Sequence, residues 1–211
     1  MNIETLEVAG IESALHAMRN PLDSWEKSDS SNMDITTPGE QAKRIFCVGP
    51  ADMKLSIRLQ DSGPEHCKHL RMVMVWADIT APRYWWTEAD TYRAGVEKVS
   101  CSTMHKLMSR PLTTDDFETD GKFSTALVTA VYEINLRMSQ YREEKDQDIQ
   151  KAIWREIIQL LPQSYLQKRT VMFSYAALRN IYQQRKGHKL KEWQTFREWC
   201  ESLPESWMIT E

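Results

Sequence analysis

Residues 76–105 read WADITAPRYWWTEADTYRAGVEKVSCSTMH. The stretch mixes Trp76, Tyr84, Trp85, Trp86 and Tyr92 with Arg83, Glu88, Asp90, Arg93, Glu97 and Lys98, and it closes on Cys101 and His105. Aromatic, charged and nucleophilic side chains are nowhere else so interleaved, so chemistry is expected here first. It begins inside the best strand signal of the chain. Residues 69–79, HLRMVMVWADI, are apolar almost without a break from Met72 to Ala77, as expected of a strand buried on both faces. Pro82 ends it, and residues 83–94 are expected as a helix with Tyr84, Trp85, Glu88 and Tyr92 towards one side.

Upstream, residues 51–61, ADMKLSIRLQD, predict a short helix carrying Met53 and Ile57 and, less well, Leu55 and Leu59; Ser62-Gly63-Pro64 breaks it. Residues 43–48 are a short strand, and 27–39, KSDSSNMDITTPG, a surface loop. Residues 10–19 place Ile11, Ala14, Leu15 and Met18 at helical spacing until Asn20-Pro21 stops the helix. Residues 1–9 alternate Ile3, Leu6 and Val8. Downstream, 113–118 form an acidic turn with Thr113 or Thr114 as N-cap. A long helix over 122–142 carries Phe123, Leu127, Ala130, Val131, Ile134 and Met138 on one stripe. The charged REEKDQD surface leads to a helix at 148–161 with Ile149, Ile153, Ile157, Leu160 and Leu161. A strand within 163–173, a helix at 174–185 holding Leu178, Ile181 and Tyr182, and a last helix at 191–202 holding Trp193, Phe196, Trp199 and Cys200 complete the chain. The sum is α+β, mainly helical with a small central sheet, in a single domain over 1–211.

Composition narrows the function classes. The 211 residues are 41% hydrophobic and 27% charged with a net charge of -3, which gives no basic face for nucleic acid and no membrane surface. Four widely spaced cysteines, no CxxC pair and no signal peptide predict reduced thiols and a cytoplasmic setting. Eight tryptophans point to binding faces or a subunit interface. No GxxxxGK[ST], GxGxxG, GxSxG or HExxH occurs. His66-Cys67-Lys68-His69 gathers zinc-ligand types, but two would have to come from adjacent positions and no second cluster supports them, so no metal is expected. Cys101 and His105 are four apart, as a nucleophile and base on a helix would be, yet free cysteine is more often plain packing. Trp85-Trp86 reads as core or interface before it reads as a base-stacking platform.

Four segments together resemble the flavin-dependent thymidylate synthases. The opening helix ending AMRNPLDSWE resembles that family's early helix and polar turn. LSIRLQDSGPEHCKHLRMVMVWADITAP resembles its helix, its Gly-His-x-Ser-Pro-x-Glu-His turn and its next strand; His66 falls on the first His, and Arg71 and Met72 replace the Glu-His pair. Residues 91–103 fall on the signature Arg-His-Arg-x-x-Ser-x-Asn-Glu-x-Ser-x-Arg-Tyr. There only Arg93 of the triplet is kept, the first Ser is Val96, and the later Ser is Ser100, Cys101 or Ser102 according to register. The C-terminal LLPQSYLQKRTVMFSYAALRNIYQQRKGHKLKEWQTFREW resembles the Leu-Pro turn, strand and last two helices, with Arg185 on the Leu-Arg arginine, Gln194 near the final Gln, and Ser174 where the family has an Asn. About two thirds of the chain is covered.

The resemblance implies a homotetramer that binds FAD and dUMP at subunit junctions and methylates dUMP to dTMP. On it, His66, Arg93, Ser100 and Ser102 are cofactor-binding candidates, and Arg185, Gln194 and Ser174 substrate-binding candidates. Phosphates need paired guanidinium forks. Each charge-assisted hydrogen bond lost costs about 1.5–3 kcal/mol, or about ten- to a hundredfold in affinity. The degraded signature therefore predicts a divergent, oligomeric nucleotide-binding protein with little or no methyl transfer. The alternatives are a non-enzymatic accessory protein of phage, viral or mobile-element type that uses a Trp-rich surface to hold a protein partner, and an active FAD-dependent enzyme.

Overall fold

The computed structural model describes residues 1–36, 42–122 and 124–211, with the side chains of Lys43, Met104 and His105 left aside. Phe123, residues 37–39 of the expected loop and the His105 imidazole thus lie outside the described residues. The order of elements begins β1 (Asn2–Ala9), α1 (Ile11–Ala17), β2 (Ser31–Ile35), β3 (Lys43–Cys47), α2 (Pro50–Asp61), β4 (Met74–Pro82), α3 (Arg83–Ala89). It continues β5 (Val96–Ser100), α4 (Thr103–Lys106), α5 (Thr125–Glu143), α6 (Gln147–Leu160), β6 (Leu166–Ser174), α7 (Tyr175–Gln184), α8 (Lys191–Glu201), α9 (Trp207–Thr210). Strands in the order β1-β4-β6-β5 form one sheet, and β2 and β3 form a separate antiparallel ribbon with Met33 opposite Ile45. The architecture is α+β and mainly helical, as the sequence predicts.

Several elements differ from expectation. The strand of residues 69–79 is a 3-10 turn over Lys68–Arg71 followed by β4, and β4 alternates: Val75, Ala77, Ile79 and Ala81 are fully buried while the residues between are half-buried. One fully buried face plus one partly covered face replaces two buried faces. The helix at 83–94 stops at Ala89, where Asp90 and Thr91 turn the chain towards β5, a strand the sequence reading lacks. β2 also arises inside the expected loop, since pairing with β3 is made by backbone groups and needs no apolar pattern.

The residues divide into two compact units. One comprises Met1–Glu4, Asp78–Arg93 and Lys98–Val171. Its core joins Val131, Ile134 and Met138 of α5 to Ile157 of α6, Leu161, Leu107, Leu112 and Phe117. The helical period places the α5 trio on one side, with Leu127 and Ile153 partly buried against it. Asn135 clamps the chain at Leu112 in both directions, accepting from its N–H and donating to its carbonyl, each at 2.8 Å. Ile149 and Leu160 of α6, expected inside, are about half-exposed.

The other unit comprises Thr5–Ala77, Ala94–Glu97 and Met172–Glu211. Trp193, Phe196, Trp199 and Cys200 of α8 are buried as the sequence predicts, and the Phe196 ring lies 5.7 Å from Phe173 and 5.2 Å from Trp199. Gly10 (φ +91°) precedes α1 where a Cβ would collide with the Met72 carbonyl, so that close approach requires glycine.

Helix α2 is oriented against its expected face. Its buried residues are Asp52, Ser56 and Gln60, four apart along one side, whereas Met53 is exposed and Leu55, Ile57 and Leu59 are only half-buried. Asp52 is fully buried and carries four short contacts: Arg19 Nε and a terminal guanidinium nitrogen at 2.6 Å, and the Ser28 and Ser30 hydroxyls at 2.6 Å each. Asp29 accepts from the N–H groups of Ala51 and Asp52 at 2.8 and 3.1 Å, which satisfies donors the first turn of α2 would leave open. Burial works to raise the Asp52 carboxyl. The Ser28, Ser30 and Arg19 donors outweigh it and hold the group below the usual carboxylate range.

A group with a depressed folded pKa stabilises above its unfolded value and loses that contribution as pH falls through the folded one. Asp52→Asn should therefore cost about 3–5 kcal/mol at neutral pH, because it strands a buried guanidinium. In urea denaturation across pH, the gap between wild type and variant should hold above about pH 5 and narrow below about pH 4. A pH-independent gap would show that the carboxylate charge is not what holds Arg19.

Candidate functional site

The polar side of α2 leaves its apolar side facing a cavity. A space of about 1120 Å³ in the Thr5–Ala77 part of the second unit is walled by α2, by the turn after α1 (Ala17–Leu22), and by residues 65–72. Leu55 and Leu59, one turn apart, form an apolar strip on the α2 wall, with Met18, Leu22 and Met72 from the other segments. Beside that strip Lys54 and Arg58, also one turn apart, bring cations, joined by Lys27 and Lys68; Asp61 and Glu65 are the acidic residues of the lining. Lys54, Arg58 and Lys68 form no ion pair among the described residues. The turn keeps its shape through Trp25, whose Nε1 donates to Asn20 at 2.8 Å and whose ring stacks on His16 at 5.9 Å.

Behind the wall the buried polar residues form a chain of contacts. His69 Nε2 meets the Ser56 hydroxyl at 2.7 Å, Gln60 donates to the same hydroxyl at 3.4 Å, and Arg179 Nε donates to Gln60 at 3.0 Å. Burial pushes the His69 imidazole down to about 4, against a weaker pull from the His66 carbonyl, so the ring is neutral at neutral pH.

The sequence candidates fall in different places. His66 lines the cavity, about half-exposed and 3.6 Å from Glu65. Arg185 caps α7 with its guanidinium 4.3 Å above the Trp193 ring, and Gln194 donates to the His188 carbonyl at 3.3 Å; the His188 N–H in turn donates to the Arg185 carbonyl at 3.2 Å. The loop at His188 thus brings Arg185 and Gln194 together. Ser174 is buried and caps α7, its hydroxyl accepting from the Ala177 N–H at 3.2 Å. Arg93, Ser100 and Ser102 belong to the first unit. Arg93 and Ser100 are exposed, and Ser102 is half-buried at the edge of a smaller space of about 640 Å³ lined by Tyr141, Gln150, Lys151 and Trp154.

The zinc-type residues separate. His66 turns to the cavity, the Cys67 thiol sits on the Gly63 carbonyl at 3.3 Å, and His69 packs on Ser56; among the described residues no three metal-ligand types converge. Cys101 is exposed, and its backbone is tied to Lys168 and Gln167. The opening aromatic stretch packs inward. Trp85 and Trp86 are 1% exposed, with rings 4.8 Å apart edge to face, so they are core and not a partner-holding surface. Trp86 Nε1 donates to the Gln167 carbonyl at 2.9 Å and the Arg169 guanidinium lies 4.2 Å over its ring. Arg169 and Lys98 both pair with Asp90, at 2.8 and 3.2 Å. Sequence reasoning passed over Lys54, Arg58 and Lys68; the signal available was the cations one turn apart on α2.

No family model matches the chain, and no curated protein does. Solved structures do. Thymidylate synthase X (ThyX) from Helicobacter pylori with FAD and dUMP is 16% identical with a TM-score of 0.71, covering 100% of this chain and 98% of that one. A second structure of the flavin-dependent thymidylate synthase ThyX from Helicobacter pylori, complexed with FAD and dUMP, is 17% identical with a TM-score of 0.72 and the same coverage. At these identities the likeness shows the fold, and the chain has the fold of the flavin-dependent thymidylate synthases.

Trp86→Ala should cost about 3–5 kcal/mol of stability, the range for emptying a large buried aromatic site. A shift of that size in the urea midpoint checks it; a surface tryptophan would leave the midpoint almost unmoved.

Proposed function

We propose that this protein is an oligomeric nucleotide-binding protein of the thymidylate synthase X fold, with little or no methyl-transfer activity, and that its ligand lies in the cavity beside α2. The observation that carries this reading is the inverted face of α2. Asp52, Ser56 and Gln60 are buried while Leu55 and Leu59 line an open space. Such an arrangement leaves apolar surface in water unless something apolar covers it, at about 25 cal/mol per Å². Lys54, Arg58 and Lys68 beside that surface suit a ligand with a flat apolar body and phosphates.

FAD fits these requirements: Leu55, Leu59 and Met18 would hold its ring system, and Lys54, Arg58 and His66 its phosphates and polar edge. A bound flavin would supply hydride transfer. Arg185 and Gln194, gathered at the His188 loop, are the residues we assign to a second nucleotide, dUMP. What argues against efficient methylation is the signature region. Only Arg93 is retained from the triplet, and Trp86, Asp90, Lys98 and Arg169 form a packed and paired cluster in the same unit. Association of copies is supported by α5, where Val128, Tyr132 and Leu136 are exposed one turn apart, an apolar stripe on the side away from its core. The four cysteines stand as free thiols, which suits the cytoplasm.

A ligand at a hundred times its Kd should stabilise the protein by about 2.7 kcal/mol, roughly 5–10 °C in Tm for a chain of this size. FAD or dUMP should produce such a shift, and Lys54→Glu/Arg58→Glu should abolish the FAD response. Absence of any shift with either nucleotide at millimolar concentration would remove the nucleotide reading. With dUMP, FAD, a reduced nicotinamide and a one-carbon folate donor, dTMP should not form above background; steady turnover would replace this reading with an active enzyme.

A further inference from the structure

We propose that α5 is a two-fold interface, in which an uncharged strip of one copy packs antiparallel on the same strip of a second copy with Tyr132 at the dyad. The proposal rests on the oligomeric part of the reading above and names its surface and symmetry; it takes nothing from the cavity beside α2.

The strip lies on a side of α5 that its own unit leaves uncovered. Val131, Ile134 and Met138 turn into the core, with Leu127 partly buried beside them. Thr125, Val128, Thr129, Tyr132, Leu136 and Ser139 recur at helical spacing on another side, over about 21 Å of helix. Val128 is 49%, Tyr132 65% and Leu136 42% exposed. The charges within this span, Glu133 and Arg137, each follow a strip residue by one position and so stand about 100° round the helix from it. Arg137 is also engaged elsewhere, pairing with Glu156 of α6 at 3.4 Å and donating to Gln140 at 2.9 Å. An apolar centre with hydroxyls towards its ends and no charge has the make-up of a contact surface.

The order of residues along the strip identifies what covers it. A two-fold interface requires a patch that is its own complement, with residue i meeting j and j meeting i. Counted outward from Tyr132, Val128 and Leu136 lie four positions away on either side, and Thr125 and Ser139 seven. An antiparallel copy therefore sets Val128 against Leu136 twice, the Thr125 hydroxyl beside the Ser139 hydroxyl twice, and Tyr132 against itself, where two rings stack with an offset. Apolar meets apolar and hydroxyl meets hydroxyl at each step. Antiparallel order also sets the positive end of each helix dipole beside the negative end of the other. A different partner would have to match this strip through its own sequence, whereas a second copy matches it by symmetry. Three apolar side chains per copy place the contact at the small end of specific interfaces, below about 800 Å² per partner, so the pairing depends on protein concentration.

The test uses the full-length chain and sedimentation velocity over a concentration series reaching about 100 µM. Tyr132→Glu sets two like charges face to face at the dyad. At the highest concentration its mass should be half that of wild type, with an unchanged urea midpoint because the position is exposed. Cysteine pairs read the geometry independently, in a Cys101→Ser background that lacks the exposed thiol and does not itself cross-link. With diamide as oxidant, Tyr132→Cys should give a disulfide-linked dimer. Val128→Cys alone should not, since its copy lies about 12 Å further along the pair, beyond the roughly 7 Å that a disulfide spans between Cα atoms. Val128→Cys combined with Leu136→Cys should cross-link again. A wild type that is monomeric throughout the series would overturn both this proposal and the oligomeric reading. An oligomer whose mass Tyr132→Glu leaves unchanged, or one that Val128→Cys cross-links alone, would overturn the α5 dyad and leave the oligomeric reading in place.

Discussion

The contact between Arg19 and Asp52 sets the geometry on which the second unit depends. Taking a guanidinium and a carboxylate out of water costs several kcal/mol per ion, and their attraction offsets this only when the remaining lone pairs and protons are also satisfied. Here they are: Ser28 and Ser30 supply two more donors to the carboxylate, and the Ser24 carbonyl accepts from Arg19 at 3.2 Å. One ion pair therefore ties together the end of α1, the serine-rich segment before β2 and the first turn of α2. The turn between them cannot move without breaking it, and that turn is one wall of the cavity. The same pair decides which side of α2 faces inward. With Asp52 committed to the interior, the helical period carries Ser56 and Gln60 in behind it.

Helices whose apolar stripe faces a protein core were readable from sequence. Val131, Ile134 and Met138 in α5 and Trp193, Phe196, Trp199 and Cys200 in α8 follow the 3.6-residue period and lie where that period puts them. Helix α2 was readable as a helix but not in orientation, because its apolar residues face a cavity and its polar residues find partners from distant segments. Arg19 is 33 positions away from Asp52 and Arg179 is 119 away from Gln60, and no local pattern carries such information. Strands β2 and β5 were missed for a related reason. Backbone pairing holds them: β5, VEKVS, has no alternation to detect, and the brief alternation of Asn32-Met33-Asp34-Ile35 in β2 sits inside a Ser- and Asp-rich stretch that reads as loop.

The candidate site was legible only at its margin. His66 was placed by resemblance, and it does line the cavity. The most chemically mixed stretch of the sequence became packing instead. Trp85 and Trp86 are buried, and Asp90 is taken up by Lys98 and Arg169. Residue types that perform chemistry are also those that make satisfied interior contacts, and composition alone does not separate the two roles. The separating fact is whether a polar group has found its partner within the protein.

Because α2 is anchored through Asp52, Ser56 and Gln60, its frame and its wall are held by different residues. Replacing Leu55 or Leu59 reshapes the space without touching the contacts that keep the helix in place, and replacing Lys54 or Arg58 recharges it at equally small cost to folding. Inheritance can therefore rewrite the lining step by step, each intermediate still folding. A helix fastened from behind in this way gives a lineage room to change its ligand while its backbone stays recognisable.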